Sequence, residues 1–310
     1  MPEPPVEIVW NEATVDDWRR LIGSVEGGTL PQSWAYAQAM PAAEGQIPHF
    51  GVIRNRDGEV GCVLALERRA MSVFSRISIH RGPLWLRPDP PLAATLAALR
   101  RRWPRRPWRR ISFIPELPAG ADSHRALTEA GFHRAGEGYR SILVDLPHAR
   151  ERLRATWRHE LQRAERHDVS VEVDRHGKAT LPWLLQRYEI DRKLRGYRGP
   201  SNRLALQLVL AARAASDALV VIASHGAERI AGILVIRHGD TATYLVGWTG
   251  GEGRRLGATH LLLWRAMKTL AGDGVRRFDL GGINPEAAPG LTLFKRGLGG
   301  REYELIGTYT

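Results

Sequence analysis

The 310-residue sequence contains a single cysteine, Cys62. One thiol excludes a disulfide framework and a metal site built from several cysteines. The most apolar stretch, Leu204 to Ala223, is interrupted by polar and charged side chains, so we expect no helix that spans a membrane. The first residues have neither the basic start nor the apolar segment of a secretory signal. These absences predict a cytoplasmic protein.

Lysine is also scarce. Of 45 basic residues only four are lysines, which leaves 45 − 4 = 41 arginines, and the formal net charge is +12. Such a surplus favours polyanionic partners, namely nucleic acid, phosphorylated ligands or anionic lipid heads. An arginine-rich composition is also what a GC-rich genome produces, so the charge alone does not identify the partner.

Several common site motifs are missing. His159-Glu160 is followed by Arg163 where a zinc peptidase helix needs its second histidine, and Leu256 stands where a dinucleotide-binding loop needs its third glycine. There is no Walker lysine and no G-x-S-x-G turn. The scattered histidines form no ligand cluster, so we predict no metal site. Nucleotide hydrolysis, hydride transfer and serine hydrolysis are disfavoured.

Strand and helix patterns alternate along the chain, and the second half repeats the first. Three pairs of segments match at offsets of roughly 165–170 residues, as one duplicated unit would give. The pairs are Gly58–Leu64 with Glu228–Leu234, His80–Trp85 with Leu245–Gly250, and Arg109–Phe113 with Arg276–Leu280. We therefore predict two α/β units, 1–145 and 146–310, with a strand that crosses over near Leu143 to Asp145. Two unrelated α/β domains sharing such patterns are the alternative.

The clearest functional pattern is the stretch from Tyr244 to Met267. A predicted strand leads into a glycine-rich turn, and the turn opens a long helix. This order gathers free backbone N–H groups and the positive end of a helix at one point, which suits a phosphate. Arg254 and Arg255 add positive side chains there. The pattern predicts a pyrophosphate or phosphodiester site, and a flexible turn with solvated arginines is the alternative.

Two further glycine-containing segments follow. Asp279 leaves a predicted strand just before Gly281 and Gly282, which let a ligand approach the backbone closely. Asp279 either positions an amine or only caps a turn. Lys295 lies between Phe294 and more glycines. A compact ammonium at this place suits an oxyanion or a phosphate better than arginine would, with an ordinary solvated lysine as the alternative.

Two basic stretches complete the candidates. The predicted helix Glu151 to His167 carries arginines at three- to five-residue steps, and Arg101 to Arg110 interleaves arginine with tryptophan. Either stretch could follow a phosphate backbone. A solvated face is the alternative for each.

Together these segments resemble one family. The turn Arg254 to Thr259 is similar to the R-x-x-G-x-G/A pyrophosphate loop of the GNAT acyltransferases, with Thr259 departing at the last position. The wider order is similar to the Fem family of peptidoglycan-bridge aminoacyltransferases, which are two tandem GNAT-like units. The segments that carry this resemblance are Gln32-Ser33-Trp34, Arg81-Gly82-Pro83, Trp157 to Glu165, Gly247 to Gly250, Phe278 to Ile283 and Phe294 to Gly300.

The resemblance implies an α/β (α+β) fold in which each unit has a mixed central sheet flanked by helices. It also implies an N-acyltransferase in which an amine attacks an activated carbonyl and forms an amide. The acyl donor is then a co-substrate, and no bound cofactor is expected. The residues implied are Lys295, Phe294 and Asp279 for catalysis, Arg254, Arg255, Gly257 and Ala258 for the donor phosphates, and Tyr244, Trp34, Arg198, Gly281 and Gly282 for the acceptor.

The sequence departs from the family pattern in two places. Cell-wall members have a lysine after the tryptophan of the early helix for the precursor's phosphate, whereas Trp34 is followed by Ala35. The long heptad arm of some members is absent between Arg175 and Arg203. The acceptor is therefore not necessarily the usual nucleotide-linked precursor.

Three functions stay open at this point. The first is aminoacyl transfer from aminoacyl-tRNA to an amine of a peptide or cell-wall-type acceptor, with tRNA as partner. The second is acyl-CoA-dependent transfer to a small amine. The third is a non-catalytic nucleic-acid-binding protein that uses the two basic stretches. The sequence does not indicate an oligomeric state.

Overall fold

The computed structural model describes residues 5–71 and 73–310, so the expectation about a secretory signal falls partly outside it. The strands are β1 Glu7–Trp10, β2 Ile47–Asn55, β3 Gly58–Ala70, β4 Phe74–His80, β5 Leu84–Trp85, β6 Arg109–Ile114, β7 Arg134–Gly136, β8 Arg140–Asp145, β9 Val169–Asp174, β10 Ala218–His225, β11 Glu228–His238, β12 Thr241–Thr249, β13 Arg277–Asp279, β14 Arg301–Glu304 and β15 Thr308–Tyr309. The helices are α1 Val15–Ser24, α2 Trp34–Glu44, α3 Leu92–Arg102, α4 Ala121–Glu129, α5 Ala155–Ala164, α6 Leu181–Arg195, α7 Asn202–Ala212, α8 Gly251–Arg255, α9 Ala258–Gly272 and α10 Pro289–Arg296.

The strands form two sheets with the same order. The first is β1-β2-β3-β4-β6-β15-β7, with β5 beside β3, and the second is β9-β10-β11-β12-β13-β8-β14. In each sheet the first four strands are antiparallel, and the fourth is parallel to the fifth. This shared topology confirms two tandem α/β units with mixed sheets and flanking helices.

The division between the units differs from the predicted 1–145 and 146–310. One unit holds the described residues up to Arg140 together with Tyr303–Thr310, and the other holds Ser141–Glu302. The cause is that each sheet receives its sixth strand from a distant part of the chain. Val144 of β8 pairs with Phe278 in the second sheet, and Tyr309 of β15 pairs with Phe113 in the first. The expected crossover strand is β8.

Local sequence explains most element boundaries. Ser33 caps α2 by accepting a hydrogen bond from the Tyr36 N–H, and Ser201 caps α7 in the same way at Leu204. The strands β10 and β11 are almost continuous apolar runs because they are covered on both faces, and α9 packs on them with buried residues such as Leu263. Burial of these apolar side chains forms the core of the second unit.

The predicted helix Glu151 to His167 is shorter in the structure. A single 3₁₀ turn covers Arg150–Arg152, and α5 begins only at Ala155. One of its arginines, Arg163, pairs with Glu160 and is also bonded to a backbone carbonyl, whereas Arg154 and Arg166 are exposed. Trp157 points inward and is buried. The interpretation of this helix as a phosphate-tracking face stays a prediction.

The parallel strand pairs differ between the two sheets. In the first, β4 and β6 pair from Ser75 to His80, and the Gln32 side chain locks the end by donating to the His80 carbonyl at 2.8 Å. Gln32 also accepts from the Leu64 N–H at 2.6 Å and is fully buried. In the second sheet the pairs between β12 and β13 end at Thr243, although β12 continues to Thr249. At their carboxyl ends, the parallel strands β4 and β6 of the first unit are therefore paired, whereas β12 and β13 of the second unit separate.

Candidate active site

The site of interest lies where β12 and β13 part, since ligands in open α/β sheets bind outside the carboxyl ends of strands. A β-bulge at Leu245 interrupts the register of β12 with β11 just after Tyr244. Bulges redirect the side chains next to them. The Tyr244 hydroxyl lies against Gly247, where a Cβ atom would be only 1.9 Å away. Glycine at position 247 therefore makes room for this tyrosine.

Lys295 is the most unusual group at this place. It lies in the last turn of α10 and is only 5% exposed. Its Nζ donates to the carbonyls of Gly282 at 2.8 Å and Gly281 at 3.2 Å and lies 5.7 Å from the centre of the Tyr244 ring. An ammonium group has three donors, so one is left for a ligand. The alternative of an ordinary solvated lysine is wrong.

The pKa of Lys295 lies close to the pH at which enzymes work. Burial lowers the pKa of Lys295 from 10.5 to about 8, against the opposing influence of the Asp279 carboxylate. At neutral pH the group is therefore still an ammonium, but one that gives up its proton within the range in which enzymes work.

Asp279 is buried and engaged by its neighbours. Its Oδ1 accepts from the Ser141 hydroxyl at 2.5 Å and from the Gly281 N–H at 2.9 Å. The Ser141 hydroxyl also lies 2.9 Å from the Gly281 carbonyl, which Lys295 contacts. The carboxylate thus orders the glycine turn and stabilises the ammonium beside it, and we treat Asp279 as a positioning residue.

The glycine-rich segment after β12 is more regular than predicted. Residues 251–255 form the short helix α8, and α9 starts after Gly257, whose φ is +69°. A Cβ at Gly257 would lie 3.0 Å from the Ala164 Cβ, so this glycine lets α9 begin against α5. Arg254 donates to the Thr249 carbonyl at 2.7 Å, which holds it over the turn.

An aromatic group stands beside these residues. Trp157, His260 and Phe294 pack on one another with ring centroids 4.7–6.0 Å apart. Burial holds the pKa of His260 below its ordinary value, so the imidazole is neutral at neutral pH. The ring cluster fixes the position of Phe294, the neighbour of Lys295.

These elements line a cleft of about 330 Å³ in the second unit. It brings together Tyr244, Arg254, Gly257 and Phe294, which the sequence analysis assigned to acceptor, donor and catalytic roles. Burial raises the pKa of Tyr244 to about 12, so its hydroxyl stays protonated. The remaining lining residues are Asp191, Gly247, Trp248, Thr249, Gly253, Thr259, His260 and Leu291.

Other predicted site residues lie elsewhere. Arg255 is bound to Glu252 at 2.6 Å, and Ala258 is buried at the start of α9. Arg198 is exposed in the segment between α6 and α7, and none of these three lines the cleft. Four further predicted residues lie beside Tyr244 without lining the cleft themselves, namely Lys295, Asp279, Gly281 and Gly282. Trp34 belongs to the first unit, where it stacks on Phe50 with ring centroids 4.9 Å apart.

Sequence reasoning missed three contributors. Asp191 comes from α6, and Ser141 from β8, and neither segment carried a motif. His260 is one of the scattered histidines for which the sequence predicts no role, but it lines the cleft and is located three residues after Gly257, about one turn into α9. Its spacing from the glycine was the available signal.

The described residues contain neither a metal-binding cluster nor a membrane-spanning helix. No group of three or more His, Cys, Asp or Glu side chains there is arranged to hold a metal ion. None of the helices described above has the length and apolar content to cross a membrane.

The fold and the cleft together define a class. Residues 151–296 match the family model for the acetyltransferase (GNAT) domain. The matched range contains β12 and β13, the turn at Arg254 and Lys295. The match covers most of the second unit and supports an enzyme of the acyltransferase class.

Solved structures extend the likeness to the whole chain. FemX superposes with a TM-score of 0.80 at 15% identity, covering 97% of this chain and 96% of FemX. L-PGS from Bacillus licheniformis gives 0.54 at 13% identity, over 90% and 88% of the two chains. A tandem GNAT protein from the clavulanic acid biosynthesis pathway gives 0.52 at 15% identity, over 98% and 97%. The chain therefore has the tandem GNAT fold, and the expected likeness to the Fem family is confirmed for the fold. No curated protein sequence matches the chain.

Proposed function

We propose that this protein transfers an aminoacyl group from aminoacyl-tRNA to an amine of a peptide or cell-wall-type acceptor. The observation that carries the proposal is Lys295, a buried ammonium 5.7 Å from the ring centre of Tyr244, which lines the cleft together with Arg254. The net charge of +12 and the tandem GNAT fold shared with FemX support a tRNA donor. A tRNA partner places the reaction in the cytoplasm.

The reaction follows from these groups. The amine nitrogen attacks the ester carbonyl carbon, a C–N bond forms, and the C–O bond to the tRNA ribose breaks. The proton lost by the amine ends on the ribose oxygen. The remaining N–H of Lys295 stabilises the oxygen that becomes negative in the tetrahedral intermediate, and Arg254 binds a phosphate of the donor. Phe294 holds the acyl end in place.

Asp191 favours an aminoacyl donor over a simple acyl donor. Its carboxylate lines the cleft together with Trp248 and Phe294, although it also pairs with Arg195 at 2.8 Å. An aminoacyl group carries an α-ammonium, whereas an acetyl group is neutral. A carboxylate among aromatic rings suits the cation, through a charge-assisted hydrogen bond and the ring faces.

Asp191→Asn is expected to lower kcat/KM for aminoacyl-tRNA by about 10- to 100-fold, the value of one hydrogen bond to a charged group. The same variant should use N-acetylaminoacyl-tRNA as well as the parent does, because that donor has no ammonium. Single-turnover transfer with both donors measures this. Glu189→Gln is the matched control, since Glu189 is an ion-paired carboxylate on the same helix outside the cleft. An equal loss with both donors would contradict the assignment.

Activity should depend on Lys295 in its charged form. Since the pKa of Lys295 is about 8, the ammonium is present below that pH and is lost above it. We expect kcat/KM to fall roughly tenfold per pH unit on the alkaline side, after a rise at lower pH as the acceptor amine loses its proton. In Lys295→Arg the residual activity should lack the alkaline fall, because a guanidinium stays charged. A parent rate that keeps rising to about pH 10 would show that the ammonium is not needed.

The function itself is tested by supplying charged tRNA and a peptide amine and measuring amide formation, with acyl-CoA as the competing donor. The acyl-CoA alternative is favoured by one observation: the turn at Arg254 to Thr259 opens α9 in the way a pyrophosphate site requires. Transfer from acyl-CoA alone would replace the first proposal by the second. Tight tRNA binding without transfer from either donor would contradict both proposals.

A further inference from the structure

One end of the first unit's sheet exposes four large apolar side chains. Met71 is 81% exposed, Val73 61%, Phe74 50% and Trp108 44%. Met71 and Val73 belong to the connection between β3 and β4, and Phe74 begins β4. The Ser75 N–H donates to the Trp108 carbonyl at 3.0 Å, which brings the tryptophan to the same place. Single exposed apolar residues are ordinary, but a group of this kind marks an interaction surface.

The same end of the sheet carries a cavity of about 530 Å³ in which arginine predominates. Pairing of Arg76 with Arg110 and of Ser75 with Arg109 places the cavity next to Phe74 and Trp108. No Asp or Glu is among its lining residues. The arginines that line it are Arg76, Arg100, Arg105, Arg106, Arg109 and Arg110. We call these arginines with the four apolar residues the basic-apolar edge.

Among the described residues, no Asp or Glu side chain forms an ion pair with an arginine of the basic-apolar edge. Several arginines elsewhere pair with carboxylates, as Arg81 does with Glu116 at 2.8 Å. Within residues 5–71 and 73–310, none of the six cavity arginines has a carboxylate within 4.0 Å. Arg100 instead reaches the Gly131 carbonyl and lies over the Phe132 ring. Arg105 helps to lower the pKa of Arg100, after burial, which reflects their mutual repulsion. A polyanion would relieve that repulsion.

The apolar residues decide which polyanion fits. Single-stranded RNA stacks its bases on aromatic side chains, and Trp108 and Phe74 could serve for that. Met71 and Val73 are the most exposed members and have no ring for a base to stack on. Aliphatic and aromatic side chains that project beside arginines are typical of a surface that enters the headgroup region of a bilayer.

We propose that the basic-apolar edge docks the protein on an anionic membrane surface. Met71, Val73, Phe74 and Trp108 enter the headgroup and upper acyl region, and the arginines hold lipid phosphates through charge-assisted hydrogen bonds. Such docking is peripheral, and it would bring the enzyme to acceptors that are attached to the membrane.

Sedimentation of the full chain with vesicles tests the proposal. The probes are phosphatidylcholine vesicles with and without about one-third phosphatidylglycerol. The protein should pellet with the anionic vesicles, more weakly at high salt, and little with the neutral ones. Failure to bind anionic vesicles at low salt would overturn the proposal. A second result would also overturn it. If the double variant Arg105→Gln with Arg106→Gln loses tRNA binding but keeps vesicle binding, the basic-apolar edge is assigned to nucleic acid.

Two variant pairs locate the surface. Arg105→Gln with Arg106→Gln should weaken vesicle binding on the order of tenfold or more, whereas Arg101→Gln with Arg102→Gln, the same charge change at exposed residues that do not line the cavity, should weaken it much less. An equal loss in both pairs would show a general charge effect and contradict the site.

Met71→Ser with Phe74→Ser should also weaken vesicle binding by about tenfold or more. The matched control is Leu194→Ser with Leu210→Ser, residues 81% and 44% exposed in the second unit, and it should bind as the parent does. Circular dichroism and thermal unfolding establish that each variant is folded. Equal binding by the two double variants would exclude insertion of the apolar residues.

Discussion

Replacing Lys295 by Met is expected to lower kcat by about 10²–10³-fold, the usual effect of removing one donor to a developing oxyanion. Donor binding should change less, because Arg254 and the aromatic lining of the cleft are kept. Rapid-quench measurement of amide formation at saturating donor separates the two effects. A variant that turns over like the parent would exclude Lys295 from the chemistry.

The same variant should be more stable than the parent near neutral pH. The folded pKa of Lys295 is about 8 and its ordinary value is 10.5, so the unfolded chain holds the proton more tightly. Burial of the ammonium therefore costs up to about 3 kcal/mol below pH 8, a cost that methionine removes. The Gly281 and Gly282 carbonyls lose a donor, which makes the net gain smaller.

Lys295→Met is therefore expected to be inactive and yet more stable than the parent, so its loss of activity would not be due to misfolding. Because the parent loses its penalty as the pH rises from 8 towards 10.5, the advantage of Lys295→Met should shrink over that range. Urea unfolding at the two ends of the range measures it. Lys268→Met is the control: Lys268 is exposed on α9, and its loss should leave activity and stability nearly unchanged.

Trp157→Ala is expected to cost about 3–5 kcal/mol of unfolding free energy, as removal of a buried tryptophan does. Trp157 supports His260 and Phe294, and Gly297 lies so close that a Cβ there would be 2.5 Å from the Trp157 ring. Loosening Phe294 beside Lys295 should also lower kcat by at least about tenfold at temperatures at which the variant is folded.

Trp264→Ala separates the two consequences. Trp264 is a buried tryptophan of the same core, and it does not line the cleft that holds Phe294. It should lose comparable stability with little change in kcat. Denaturant unfolding and transfer assays on both variants make the comparison, and Trp157→Phe should recover most of the activity. If both alanine variants lose kcat to the same degree, the supporting role of Trp157 is wrong.

The strands β8 and β15, which join their sheets from distant parts of the chain, were not equally predictable from local sequence patterns. The sequence predicts a crossover strand near Leu143 to Asp145, since a short apolar run stands there between polar segments. It gives no sign of β15, which is two residues long and fully buried at Tyr309. Pairing of Tyr309 with Phe113 depends on which strand edge is open, and that is settled only when the sheet assembles.

The sequence by itself determined the duplicated α/β plan, the glycine turn that opens α9, and the choice of Lys295 from four lysines. These features are local: periodicity, glycine where the backbone needs a positive φ, and a rare residue type in a distinctive setting. Tertiary structure alone decided that β12 and β13 part while β4 and β6 stay joined, and that Asp191 from α6 meets Phe294 from α10. The burial that shifts the pKa of Lys295 was decided there too, because desolvation depends on residues distant in sequence that pack around the ammonium.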